Sequence, residues 1–142
     1  MVKARFDAKV SELESVIDFV NDALIGAGCE KKLMPTMDIA VEEIFVNIAL
    51  YAYEELPDAD RYAEISVDID KAGEVRIVFE DEGVEYNPLI KEDPDITLNA
   101  HDREIGGLGI YMVKKSMDNV EYERVDGKNI LKIVKKCNPI EK

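Results

Sequence analysis

Apolar and polar residues alternate along this chain in two rhythms, and each change of rhythm marks a new element. Met1 to Ala8 alternates loosely, with Val2, Ala4 and Phe6 on one side and Lys3, Arg5 and Asp7 on the other. That pattern predicts a half-buried first strand. The period then lengthens, and Leu13, Val16, Ile17, Val20, Leu24 and Ile25 form the stripe of an amphipathic helix ending at Gly26 and Gly28. Ser11 and Glu14 have the spacing of a capping box at its start. A longer helix is predicted over Pro35 to Tyr53, PTMDIAVEEIFVNIALYAY, in which Met37, Val41, Ile44, Ile48 and Ala52 recur at helical spacing and Pro35 suits the first turn.

Pro57 and Asp58 stop this run, and the two-residue rhythm returns. Ala63, Ile65, Val67 and Ile69 share one face of YAEISVDID, and Val75, Ile77 and Phe79 share one face of EVRIVFED. Lys71-Ala72-Gly73 joins the two as a tight turn, so the pair reads as an antiparallel hairpin. Val120 to Val125 and Ile130 to Val134 make a second hairpin across Asp126-Gly127-Lys128-Asn129. Sheets with one apolar face need a cover, and the two amphipathic helices upstream are available to supply it. Leu89 to Ile105 is polar and lacks periodicity; at roughly fifteen residues it exceeds ordinary connections, which favours a lid over a passive linker.

At 142 residues the chain is expected to form one domain spanning positions 1–142. Its net charge of −13, from 31 acidic and 18 basic residues spread along the chain, repels phosphate backbones and anionic lipid. DNA, RNA and membrane surfaces are therefore poor direct partners. A nucleotide remains allowed, because a divalent ion and backbone amides act on its phosphates at close range. No apolar run approaches a membrane span, and a disulfide between Cys29 and Cys137 is conceivable, but nothing at the amino terminus resembles a signal peptide, so a cytoplasmic protein with reduced thiols is expected.

Three motifs carry candidate chemistry. Glu43 and Asn47 lie four apart on one helix face, either as a solvated polar pair or as a carboxylate that accepts a proton beside a carboxamide oxygen for Mg2+. Asp81 stands at a strand end before Glu82 and Gly83, either as a plain turn or as the acceptor for an exocyclic amine such as that of adenine. Gly106-Gly107-Leu108-Gly109 opens a helix, either as a hinge or as a cluster of amides facing phosphate. His101, the sole histidine, has no second ligand near it to suggest a metal.

Taken together and in this order, the motifs resemble the gyrase and histidine-kinase type (GHKL, Bergerat-fold) ATPase superfamily. Within it the likeness runs to the bacterial anti-sigma-factor serine kinases. It rests on DIAVEEIFVNIALYAY, FEDEGVEYNPL, REIGGLGIYMV and the terminal hairpin with Gly127, Asn129 and Leu131, and covers nearly the whole chain. The resemblance implies an α+β fold, a two-layer α/β sandwich whose mixed and mostly antiparallel sheet is covered on one face by helices, with ATP held beneath a mobile lid. It implies a Mg2+-ATP-dependent protein serine/threonine kinase that acts on an antagonist of the anti-anti-sigma type and competes for a sigma factor. The alternative is a non-catalytic module of the same fold that senses ATP or ADP.

On that likeness Glu43 would be the general base, Asn47 the Mg2+ ligand, Asp81 the adenine reader and Gly83 the space for the base. Gly106, Gly107, Leu108 and Gly109 would wrap the phosphates, Arg103 would stabilise transferred charge, and a homodimer would form. Three departures stand out. Tyr51 takes the place of a frequent histidine, Glu85 that of a second glycine, and Glu42 adds a carboxylate beside Glu43.

Overall fold

The structure, a computed structural model of the chain, describes residues 1–56, 60–90 and 107–137. Strand β1 (Val2–Asp7) leads into helix α1 (Leu13–Gly26), and helix α2 (Met34–Asn47) continues directly into a π-helical turn at Ile48–Ala52. Strands β2 (Tyr62–Ile69) and β3 (Glu74–Asp81) follow, then helix α3 (Gly107–Ser116) and strands β4 (Asn119–Val125) and β5 (Lys128–Lys136). No helix among the described residues is long and apolar enough to cross a membrane.

The five strands form one antiparallel sheet in the order β1-β2-β3-β5-β4. Both expected hairpins are present, and Asp126 (φ 49°) with Gly127 (φ 79°) makes the second of them, the conformation an Asp-Gly turn favours. The last strand lies between β3 and β4, which puts Asn129 directly across from Asp81. Alternate residues of the strands, Ile65, Val67, Val75, Ile77, Phe79, Leu131 and Ile133, are buried against Val16, Val20 and Leu24 of α1, Met37, Val41, Ile44 and Phe45 of α2, and Val113 and Met117 of α3. Each such side chain contributes roughly 1.5–3 kcal/mol by leaving water, so the sheet and the helices hold each other. The sheet is wholly antiparallel among the described strands, a sharper outcome than the mixed sheet expected.

Two local expectations fail. The capping box does not form, because a 3-10 turn at Val10–Glu12 moves the helix start past Ser11 and leaves α1 with no side-chain cap. Nor are the cysteines separate thiols. Cys29, after α1, and Cys137, at the end of β5, are buried and bonded to each other with their Cα atoms 5.4 Å apart, across a sequence separation of 108. Spacing along the chain gave no sign of this, since only the fold brings the two ends of the disulfide together.

Candidate functional site

All five apolar positions that predicted the organising helix, Met37, Val41, Ile44, Ile48 and Ala52, are buried. The last of them belong to the π turn, whose wider coil changes what the chain does after Asn47. The carbonyl of Ala52 accepts the backbone N–H of Val84 at 2.9 Å, tying the helix end to the loop that leaves β3. Next to it, the buried hydroxyl of Tyr53 donates to the carbonyl of Tyr62 at 2.6 Å and accepts the N–H of Glu82 at 2.9 Å. The end of α2 and the end of β3 are thereby fixed to one another.

Between them opens a pocket of about 120 Å3. Ile44, Ile48, Phe79, Val84, Ile110 and Leu131 give it apolar walls, and Asn47, Asp81, Glu85, Tyr86, Tyr122 and Asn129 give it polar groups. Asp81 is only 4% exposed. Burial raises its carboxyl above the usual aspartate range, against hydrogen bonds from Asn129 and from the backbone of Gly83 and the charge of Arg124. Gly83 N–H donates to Asp81 Oδ1 at 2.8 Å, and Asn129 Nδ2 donates to the same oxygen at 2.9 Å. The pocket thus has a desolvated acceptor in its lining, suited to an N–H or O–H of an otherwise apolar ligand.

Gly83 stands beside Asp81, and a Cβ there would collide with the backbone of Ala52, so the missing side chain lets the loop pass the π turn.

Glu43 and Asn47 share the predicted face, and the Asn47 side chain hydrogen-bonds the Glu43 carboxylate. Burial raises the Glu43 carboxyl above the ordinary glutamate range, the neighbouring Glu42 charge raises it further, and the Asn47 bond opposes both. Asn47 lines the pocket, while Glu43 packs against Gly109. Gly107, Leu108 and Gly109 form the first turn of α3 over this face, as the glycine motif predicted. Arg103 and Gly106, together with most of the expected lid, lie outside the described residues.

No group of three or more His, Cys, Asp or Glu side chains suited to a metal occurs among the described residues. The chemistry of the donor set still fits Mg2+ in one way. Asn47 lines the pocket, and a carboxamide oxygen is a ligand that suits an ion which keeps waters and takes its other ligands from a nucleotide's phosphates.

Compared with known families, residues 6–135 match the histidine kinase-like ATPase domain. The chain belongs to that family. No curated protein matches it in sequence. Among solved structures, the chain is similar in fold to part of the crystal structure of the RsbU and RsbW domains of Rv1364c from Mycobacterium tuberculosis, with a TM-score of 0.66 at 13% identity over 96% of this chain. The match spans 33% of that larger protein. The SiaB-SiaC complex from Pseudomonas aeruginosa is similar with a TM-score of 0.59 at 11% identity, covering 95% of this chain and 89% of its counterpart. At such identities the likeness is one of fold.

The second hairpin adds Asn129, Tyr122 and Arg124 to the surroundings of Asp81 and Gly83. Asn129, 6% exposed, also donates to the carbonyl of Val84 at 2.8 Å, and it accepts the Tyr122 hydroxyl at 2.6 Å and the Tyr86 N–H at 3.3 Å. Arg124 donates to the carbonyl of Gly83 at 2.8 Å. Besides its place in the resemblance, Asn129 is marked in the sequence as a polar residue at a position whose alternation calls for an inward, apolar one.

Proposed function

We propose that this chain is a Mg2+-ATP-dependent protein serine/threonine kinase of the partner-switching, anti-sigma type, acting on an antagonist protein. The observation that carries this reading is the Glu43–Asn47 pair on one helical turn beside a pocket with a buried carboxylate acceptor. Membership of the histidine kinase-like ATPase family supports the nucleotide. In this reading Asp81 accepts the adenine amine through Oδ2, since both of its hydrogen bonds to the described protein fall on Oδ1. The apolar walls hold the base, and the first turn of α3 points its free amides at the phosphates.

Glu43 then takes the proton of an incoming serine or threonine hydroxyl as its oxygen bonds to the terminal phosphorus, and the bond from that phosphorus to the bridging oxygen breaks to release ADP. Asn47, with the nucleotide's phosphates, would hold Mg2+, which would neutralise charge on the departing oxygen. A homodimer is part of this reading, and sedimentation of the purified chain tests it.

A second reading has support of its own. Glu85 and the 51% exposed Tyr51 line the pocket, and Glu43 is packed against Gly109, features that suit a module in which ATP or ADP changes a protein-binding surface without transfer. The two readings separate in one experiment. Calorimetry measures ATP binding by the wild type and by Glu43→Ala, and γ-labelled ATP is added with each to extract from the source cells. A labelled small protein produced by the wild type alone, with ATP bound by both, is the expected result. ATP-dependent capture of a protein without label favours the sensing module, and absence of ATP binding overturns both readings.

A further inference from the structure

A carboxamide has two N–H donors and one oxygen with two lone pairs, and Asn129 has a protein partner for each of the four. Nδ2 donates to Asp81 Oδ1 and the Val84 carbonyl, and Oδ1 accepts from the Tyr122 hydroxyl and the Tyr86 N–H. Two of these partners permit no choice. The Val84 carbonyl only accepts and the Tyr86 N–H only donates, so the carboxamide has a single allowed orientation, with its N–H groups toward Asp81. Although Asn129 lines the pocket, its capacity is spent within the protein.

The consequence falls on Asp81. Its Oδ1 receives two N–H donors, from Gly83 and from Asn129, which fix the plane of the carboxylate. The remaining acceptor capacity lies on Oδ2, on a residue that lines the pocket. A carboxylate held in this way offers lone pairs and no hydrogen. It attracts the exocyclic amine of a 6-aminopurine and repels the carbonyl oxygen of a 6-oxopurine.

We propose that Asn129 is the positioning residue for base selection: by holding Asp81 as a fixed, donor-free acceptor, it makes the pocket prefer a 6-aminopurine nucleotide over its 6-oxo counterpart. The assignment rests on the nucleotide reading above. It locates selectivity on β5, in the second hairpin, in a side chain that does not itself touch the base. Tyr122 of β4 and the backbone of Tyr86 act one step further out, by holding Asn129.

The test compares affinities for ATP and inosine triphosphate, with AMP as a measure of what the phosphates contribute. Wild-type protein prefers ATP by tenfold or more, on the order expected when a hydrogen-bonding site meets an analogue lacking the donor. In Asn129→Ala that preference falls toward unity while the ratio of ATP to AMP affinity is unchanged.

Asn129→Asp keeps the shape and guards against a variant that fails to fold. Its carboxyl donates to Asp81 only when the pair holds a proton, so the ATP preference survives at acidic pH and disappears as the pH rises. A purely structural role moves neither ratio. A folded Asn129→Ala that keeps its preference, or an Asn129→Asp whose preference ignores pH, overturns the assignment. A wild type that binds both triphosphates equally overturns it as well, whereas a wild type that binds neither overturns the nucleotide reading beneath it.

Discussion

A β-carbon added to Gly109 would lie on the carboxyl group of Glu43. The third glycine of the motif therefore seats the proposed base as well as opening a helix. Gly109→Ala should raise helical stability by about 1 kcal/mol, because alanine is the better helix former, and should leave the melting temperature unchanged or higher. The displaced Glu43 side chain should nevertheless lose at least about tenfold in phosphoryl transfer, since general-base efficiency depends on placement. Thermal melts and single-turnover rates on the same preparation test both halves. A variant that is stabilised and fully active removes the seating role.

Glu43 also sets a pH dependence. Burial, and then the charge of Glu42, hold its carboxyl above the ordinary glutamate range. A base works when ionised, so transfer should fall as the pH drops through that raised value, at a pH above where an unperturbed glutamate would titrate. Glu42→Gln removes the second cause and should move this acidic limb to lower pH. Rate profiles of the two proteins decide the matter, and coincident limbs would contradict it.

Asp81 sets function against stability. Its folded carboxyl titrates above the unfolded value, so its contribution to stability is fully present below the ordinary aspartate range and is lost as the pH rises through the folded value. Near neutral pH the ionised group is a burden that Asp81→Asn relieves, while the new amide oxygen still accepts from Gly83 and Asn129. That variant should melt at the same or a higher temperature than the wild type at pH 7, with the difference shrinking or reversing in acid. Its ATP affinity should drop about 10- to 100-fold, the worth of a hydrogen bond to a charged group. Melts across pH and calorimetry supply the two readouts.

The Tyr53 hydroxyl joins the carbonyl of Tyr62 to the N–H of Glu82. Tyr53→Phe leaves both groups without this partner and should cost about 1–3 kcal/mol in chemical denaturation. Amide exchange at Glu82 and Gly83 should accelerate more than exchange in β1, because the loss is local to the end of β3.

The Cys29–Cys137 bond closes a separation of 108 residues. In the chain-entropy account a loop near this length is worth about 4–5 kcal/mol, so reductant should lower the melting temperature of the wild type clearly and that of Cys29→Ser not at all. Mass spectrometry after blocking free thiols in unreduced protein gives an independent check, because the intact bond leaves nothing to block.

The sequence made the repeating parts of this molecule legible, and its singular contacts stayed hidden. Alternation in β2 and β3 and the stripe through Met37, Val41, Ile44, Ile48 and Ala52 predicted which side chains are buried, because each needs only a periodic environment. The same stripe gave no notice of the π turn, since a wider coil at Ile48–Ala52 leaves those positions apolar. Asp81 and Asn129, 48 residues apart, meet only because β5 enters the sheet beside β3, a matter of strand order that alternation does not encode. Gly83 and Gly109 were recognised as special, but a glycine does not announce whether it makes room for a ligand, for Ala52 or for Glu43. The resemblance named candidate residues, and the fold shows which of the described ones meet.

The position of β5 bears on how the protein is made. Among the described strands it is the last in chain order, yet β4 reaches the rest of the sheet only through it. While the ribosome is still adding residues before Lys128, Asp81 lacks its partner Asn129 and β4 has no neighbour to pair with. Nascent chains arrested before that point should therefore ignore nucleotide, and capture of ligand would report that synthesis of the sheet is complete.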